Sequence, residues 1–377
     1  SAAFFYAFAV MQIPLGIYLD SLGARTTMTV LSLLAVVGAL IFAWGESLGT
    51  LVLGRVLLGV GMACNLMGTL KLITFWFGPG RFATLSALVI SVGTVGNITA
   101  ATPLVYMVQE MGWRGTFTVF AAVNFFLTVV FFIVVRDRPA ASAAAPGPKA
   151  SLAELRSVLA GAKALLSQRD YWVISLGTFC RYGIFAAVQA LWAGPYLMNS
   201  LGFSQVLAGH LLFLMSIGVV LGGPVCGWVS DSLWGSRKGV IISGLLGMAA
   251  VMFILSGLPA GIGAAIPAAL FFSFGVFSST GQIMYAHIKE GVPLDRAGTA
   301  MTGINFFTMA GVAVFLQGLG QLMESLYPGA SLSTEAFRTA FLVCTGCIAV
   351  TAALYATSSE THTRNRAGRR RRAGKGG

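Results

Sequence analysis

Two stretches decide what kind of molecule this is: PLGIYLDSLGAR at residues 14–25 and PVCGWVSDSLWGSRK at residues 224–238. Each closes a long apolar run, turns within a few residues through Asp and Gly, and ends on a basic side chain. The first runs Pro14, Gly16, Asp20, Gly23, Arg25; the second runs Pro224, Gly227, Asp231, Gly235, Arg237, Lys238. The two aspartates stand 211 residues apart. Further out, Pro79-Gly-Arg81-Phe-Ala-Thr is echoed by Pro293-Leu-Asp-Arg296-Ala-Gly-Thr at an offset of 215. Trp113-Arg114-Gly-Thr-Phe117 is echoed by Phe337-Arg338-Thr-Ala-Phe341 at 224. Three signals in one order at similar offsets mark an internal repeat, so the chain reads as two copies of one unit.

The solvent of both copies is lipid. Of 377 residues, 56% are hydrophobic and only 10% charged, whereas a soluble surface needs roughly a quarter. A bilayer core about 30 Å thick takes roughly 20 apolar residues of helix. Eleven runs fit: Ala2–Leu19, Thr27–Trp44, Leu51–Ile73, Phe82–Val108, Gly115–Val135, Tyr171–Leu197, Val206–Val229, Val240–Leu258, Gly261–Ile288, Ala297–Met323 and Ala336–Ala356. Continuous stretches of this length exclude period-two barrel strands. Basic residues crowd alternate loops and the C-terminal tail, while the opposite loops and their margins hold only Arg114 and Arg338. That asymmetry predicts a cytoplasmic C-terminus.

The net charge of +12 forms no basic face with interleaved aromatics, which argues against a nucleic-acid partner. The five cysteines all fall in apolar runs, so Cys344-x-x-Cys347 reads as packing. Three scattered histidines, no nucleophile–base pair and no phosphate loop predict no enzyme, no catalytic residue, no metal and no cofactor. Four regions follow: a helix bundle over 1–135, a linker over 136–170, a second bundle over 171–356 and a basic tail over 357–377. Within the linker, Ala140–Pro148 reads as flexible, and Ser151 with Glu154 opens an amphipathic surface helix over Leu152–Ser167. Arg369–Arg372 in the tail reads as an anchor to anionic lipid or as a topology signal alone.

The Gly-x-x-x-Asp-x-x-Gly-x-Arg loop, its copy after the seventh run, Arg55-x-x-x-Gly59-x-Gly61 and Gly112-Trp113-Arg114 together resemble the major facilitator superfamily across essentially the whole chain. The resemblance departs at Ser21 and Thr26, where the family often has basic residues, and by one extra residue in the second loop. It implies an all-α membrane fold of two six-helix bundles related by a pseudo-two-fold repeat. The counterpart of Tyr171–Leu197 would precede residue 1, so eleven of twelve helices are expected here. It further implies a monomeric secondary active transporter of the plasma (cell inner) membrane, moving a small-molecule substrate by alternating access. Asp20, Arg25, Arg81, Asp231, Arg237 and Arg296 would then be gating residues, with both aspartates expected at helix N-termini, where the dipole favours an anion.

Charge inside a span is the most informative feature, because at midplane it costs about 2.5–3.5 kcal/mol. Arg55, Lys71 and Arg181 are the candidates. Lys71 lies near a helix end and can snorkel. Arg55 either lines the path or braces helices. Arg181 lies about 15 Å deep, with Thr178, Phe185, Trp192 and Gln189 on neighbouring faces. It reads as the contact for an anionic substrate group, helped by Gln189 and Trp192, or as a structural arginine held by backbone carbonyls. Arg181-Tyr182-Gly183 is also similar to a stretch in organophosphate/phosphate antiporters. Ser278, Gln282, Tyr285 and Lys289 share one helical face, and Asn65, Asn97 and Asn305 add amides around the path. Of these, Gln282, Tyr285 and Asn65 join the expected substrate-binding set. No Asp or Glu lies inside a span, and Gly93-x-x-Gly96-Asn97 lacks the Gly-Pro-x-x-Gly-Gly pattern of drug/proton antiporters. The expected cargo is therefore a small polar solute, an organic anion; the alternatives are a non-transporting receptor of the same fold or a proton-coupled efflux carrier.

Overall fold

The computed structural model describes residues 2–73, 75–77, 102–137, 164–292 and 297–361, with scattered positions between 85 and 96. Every regular element among them is a helix, and nine of these helices are long and apolar enough to cross a membrane. The fourth expected run, the linker helix up to residue 163 and the basic tail lie largely outside the described residues. The chain divides into two compact units, Ser1–Ala160 and Gly161–Gly377.

Unit 1 holds α1 (Ala2–Ser21), α2 (Ala24–Trp44), α3 (Leu48–Met62) and α4 (Thr102–Val134). Gly23 turns the chain between α1 and α2 at a φ of 82°, a conformation that only glycine adopts without strain. Ser47 opens α3 with a capping box: its hydroxyl accepts from the Thr50 amide, and the Thr50 side chain accepts from the Ser47 amide. Gly112, at φ 72°, interrupts α4, so its second segment starts at the Trp113-Arg114 signal. After Met62 the helical ladder slips over the two residues Ala63–Cys64, where the Ala63 amide bonds the Val60 carbonyl, and resumes from Asn65.

Unit 2 holds α5 (Arg169–Ala187), α6 (Gln205–Trp228), α7 (Arg237–Ser256), α8 (Ala265–Ser278), α9 (Gly281–Gly291), α10 (Ala297–Leu326) and α11 (Thr334–Tyr355). Helix α5 continues to Ser200 through two π-helical turns around Pro195. Ser204, Ser236 and Ser333 cap α6, α7 and α11 by accepting backbone N–H bonds. The run expected over Gly261–Ile288 is one apolar span, Ala265–Gly291, whose helical ladder is interrupted at Ser279–Thr280. The cause is local: the Ser279 hydroxyl donates to the Val276 carbonyl at 2.6 Å and that of Thr280 to Phe277 at 2.8 Å, so side chains compete with the helical ladder.

In lipid no hydrophobic force drives helices together, so close packing must do so. A Cβ on Gly183 would lie 2.6 Å from the Gly311 carbonyl oxygen, which joins α5 to α10. Gly275 meets the Met215 carbonyl more closely still, joining α8 to α6. Gly275→Val should therefore separate α6 from α8 and cost about 1–3 kcal/mol. Thermal unfolding in detergent measures it; an unchanged transition would show that this packing can relax.

Candidate functional site

The Asp loops are built differently from expectation. Asp20 falls near the end of α1 and Asp231 in the π turn that ends α6, so neither stands at a helix N-terminus. The N-termini they were expected to cap belong to other acids. In unit 1 the Asp137 carboxylate accepts from the Arg25 amide at 2.8 Å, and Gly23 leaves room for it. In unit 2 Glu360 accepts from the amides of Arg237 and Lys238 at 3.0 and 3.2 Å and from the Ser236 hydroxyl. Both acids follow the last helix of their unit. They stand 223 residues apart, close to the offset of the Trp113/Phe337 echo, and extending that echo finds them.

The basic partners also differ between units. Arg25 donates to the Phe132 carbonyl from Nε at 3.0 Å and Nη2 at 2.6 Å, with its guanidinium 4.2 Å from the Phe132 ring centroid. Arg237 instead gathers three elements: it pairs with Asp231, donates to Glu290 of α9 at 2.9 and 3.3 Å, and donates to the Ser230 hydroxyl at 3.0 Å. The Glu290 side chain is 22% exposed against 56% for Asp231, so the pair with Glu290 is the less screened. Lys71 ties its segment to the Leu19 carbonyl at 2.6 Å, beside the first Asp loop. Arg81, Arg296 and the side chain of Asp20 lie outside the described residues.

Arg55 braces. Its guanidinium stands 4.2 Å from the Phe42 ring centroid and 5.4 Å from that of Phe117, linking α3 to α2 and α4. Arg181, near the middle of the Arg169–Ser200 span, is 5% exposed. Its Nη1 donates to the Ser278 carbonyl at 2.6 Å and lies 3.3 Å from the Ser278 hydroxyl. The cation sits 5.3 Å from the Tyr182 ring centroid, and its Nε is buried with no partner. The guanidinium occupies the space where a side chain on Gly281 would be. One nitrogen is thus engaged by a backbone carbonyl, and the Nε edge is left over.

The other candidates do not gather around Arg181 through direct hydrogen bonds. Gln189, on a π turn of α5, donates to Ser216 of α6 at 3.1 Å. Trp192 is buried edge-on to Phe337, and its Nε1 has no partner. Tyr285 bonds Asn305 at 3.2 Å and lies 3.3 Å from the Thr308 hydroxyl, which joins α9 to α10. Gln282 is exposed and lies against Gly223 of α6. Asn65, in unit 1, is exposed, and its amide approaches the Met62 sulfur at 3.3 Å.

The family model described as "Major Facilitator Superfamily" matches residues 1–316 and again residues 174–374. The chain belongs to the Major Facilitator Superfamily. Within the superfamily it is 25% identical over 271 residues to "Probable sulfoacetate transporter SauU" of Cupriavidus necator, a match covering 67% of this chain and 61% of that protein. It is 23% identical over 382 residues to "Probable L-galactonate transporter" of Escherichia coli, covering 94% of this chain and 78% of that one. Its fold is similar to the crystal structure of a D-xylose–proton symporter, with a TM-score of 0.68 at 17% identity over 96% of this chain and 87% of that chain. The chain is thus a multi-pass membrane protein of a superfamily whose members named here are transporters rather than enzymes.

The capping arrangement carries a direct prediction. Glu360→Ala should cost about 0.5–2 kcal/mol, the usual range for a lost N-cap. Thermal unfolding in detergent measures it against the exposed Glu110→Ala. Equal stability of the two variants would show that the Glu360 bonds contribute nothing net.

Proposed function

We propose that this chain forms the transport body of a secondary carrier of the plasma membrane, which moves a small organic anion by alternating access. The observation that carries this reading is the guanidinium of Arg181: buried mid-span, uncompensated by any described carboxylate, with one edge unengaged. An arginine fork matches the two oxygens of a carboxylate or sulfonate, and such charge-assisted bonds are the strong ones. Sulfoacetate and L-galactonate, in the names of two similar proteins, both carry such groups. Gln189, Trp192 and Tyr285 supply the polar groups that would orient the rest of the solute; Trp192 still has its N–H to give.

Arg237, Asp231 and Glu290 serve in this reading as the cytoplasmic latch. Three charged groups from α7, α9 and the turn between α6 and α7 move together or not at all, and a change at α9 reaches the Asp loop through Glu290 and Arg237. The balance of the charges keeps Arg237 paired even if one carboxylate moves away.

Counterflow in proteoliposomes containing the intact protein tests the reading. Labelled sulfoacetate and L-galactonate are the first solutes to try. Arg181→Gln should lower uptake at least about thirtyfold, the equivalent of about 2 kcal/mol for truncating one partner of a buried charge pair, with the protein still inserted and folded. Unchanged uptake by the variant would refute the anion contact. Esterifying the acid group of a transported solute should weaken its binding by a similar factor; equal affinity for acid and ester would point to recognition through the hydroxyl groups.

A further inference from the structure

The break between α8 and α9 has a counterpart in the other repeat. In unit 1 the ladder slips at Ala63–Cys64, and there the buried amide of Gln12 in α1 donates to the Ala63 carbonyl at 3.0 Å. In unit 2 it is interrupted at Ser279–Thr280, and there Arg181 donates to the Ser278 carbonyl at 2.6 Å. Ala63 and Ser278 stand 215 residues apart, the same offset as Arg81 and Arg296. Each repeat thus interrupts one spanning helix at an equivalent place and closes the break with a side chain from another helix.

The chemistry of closure explains why a side chain is needed. In a regular helix the Ser278 carbonyl would accept from the Gln282 amide. That amide bonds Ser279 instead, at 3.0 Å, and Ile283 bonds Thr280 at 3.0 Å. The Ser278 carbonyl is left facing a buried, water-poor interior, where an unpaired acceptor is costly. Arg181 fills the vacancy. It can do so only because residue 281 is glycine, since a side chain there would overlap the guanidinium.

We propose that Arg181 is an exchangeable tether: it holds the break through Ser278 in the unloaded protein, and an anionic substrate group draws it away and frees α9. This rests on the carrier reading above. A neutral amide such as Gln12 has no comparable attraction to an anion, so the closure at Ala63 is not drawn away in the same manner. Helix α9 is the moving part. Nine residues, about 14 Å of helix, separate Gly281 from Glu290, which bonds Arg237. Near the same end His287 bonds the Tyr355 hydroxyl and the Ser359 carbonyl, each at 2.8 Å. Movement of this one segment connects mid-span binding to the loop that carries Asp231.

Hydrogen exchange read by mass spectrometry on the intact, detergent-purified protein tests this. Arg181→Leu, which removes every donor, and Gly281→Ala, which displaces the guanidinium, should each speed exchange over residues 279–291 about tenfold and leave residues 63–73 unchanged, because both empty the tether. Gln12→Leu should do the reverse. Sulfoacetate at saturation should reproduce the 279–291 signature in the unmodified protein. Unchanged exchange over 279–291 in both unit 2 variants would overturn the tether. Bound sulfoacetate that leaves 279–291 slow would overturn the handover while leaving the anion site intact. Equally tight sulfoacetate binding by Arg181→Gln would remove the anion site itself, and the handover with it.

Discussion

A polypeptide dissolved in hydrocarbon has no water to complete its backbone hydrogen bonds. Every interruption in a spanning helix must be closed from within the protein. That constraint governs the interrupted helix of each repeat here, and it bears on which side chains are buried. Gln12 and Arg181 are two of the few strongly polar side chains that the described residues bury, and both are spent on a backbone carbonyl at a break. Gln12 also leaves an atom over, its buried Oε1, but it carries no charge. Arg181 carries the charge as well. A mid-span charge costs about 2.5–3.5 kcal/mol on the lenient scale, and a charge-assisted hydrogen bond returns about 1.5–3. With Nε unpartnered the balance is unfavourable, and a neutral donor would close the same break at lower cost. The surplus charge is what the proposed anion contact would use.

The rest of unit 2 is arranged so that this site sits on a frame that does not yield. Gly183 with Gly311, and Gly275 with Met215, bring backbones into contact on both sides of the broken helix. Tyr196 reaches the Leu255 carbonyl at 2.6 Å and packs edge-on against Phe341 at 4.8 Å between centroids. Against this frame α9 is short, packs Ile283, Met284 and Ile288 inward, and adds polar contacts to its neighbours through Tyr285, His287 and Glu290. Polar fastenings exchange partners; a glycine–carbonyl contact does not. The division between fixed and movable parts therefore follows from the kind of contact each helix makes.

Much of this was legible in the sequence. Hydropathy gives the spans because lipid tolerates only continuous apolar helices, and the described helices fall close to the expected runs. The paired Asp loops identify the repeat because a tight turn at a membrane surface needs Gly and charge in a fixed order. The breaks were not legible, because Ser278-Ser279-Thr280 and Ala63-Cys64 are unremarkable in hydropathy and contain no proline; a run of hydroxyls that can bond their own backbone was the available hint. Asp137 and Glu360 were missed because capping depends on where a chain returns in space. Tyr285 and Asn305 were both noted as polar, but their mutual bond across α9 and α10 needed coordinates.

Duplication by itself produces a symmetric object, and a symmetric object has no reason to prefer one state when a solute binds. What distinguishes the two halves is small in sequence and large in physics. At equivalent carbonyls one repeat supplies a neutral amide and the other a cation. At equivalent loops Arg25 spends its guanidinium on a carbonyl and a ring, while Arg237 spends its own on two carboxylates. Among the described residues, the two contacts that differ in the second repeat lie at the two ends of one eleven-residue helix. A negative solute acting on the first of those ends therefore meets a segment whose other end is held by charge as well. The repeat supplies the scaffold, and its departures from symmetry supply the direction in which that scaffold responds.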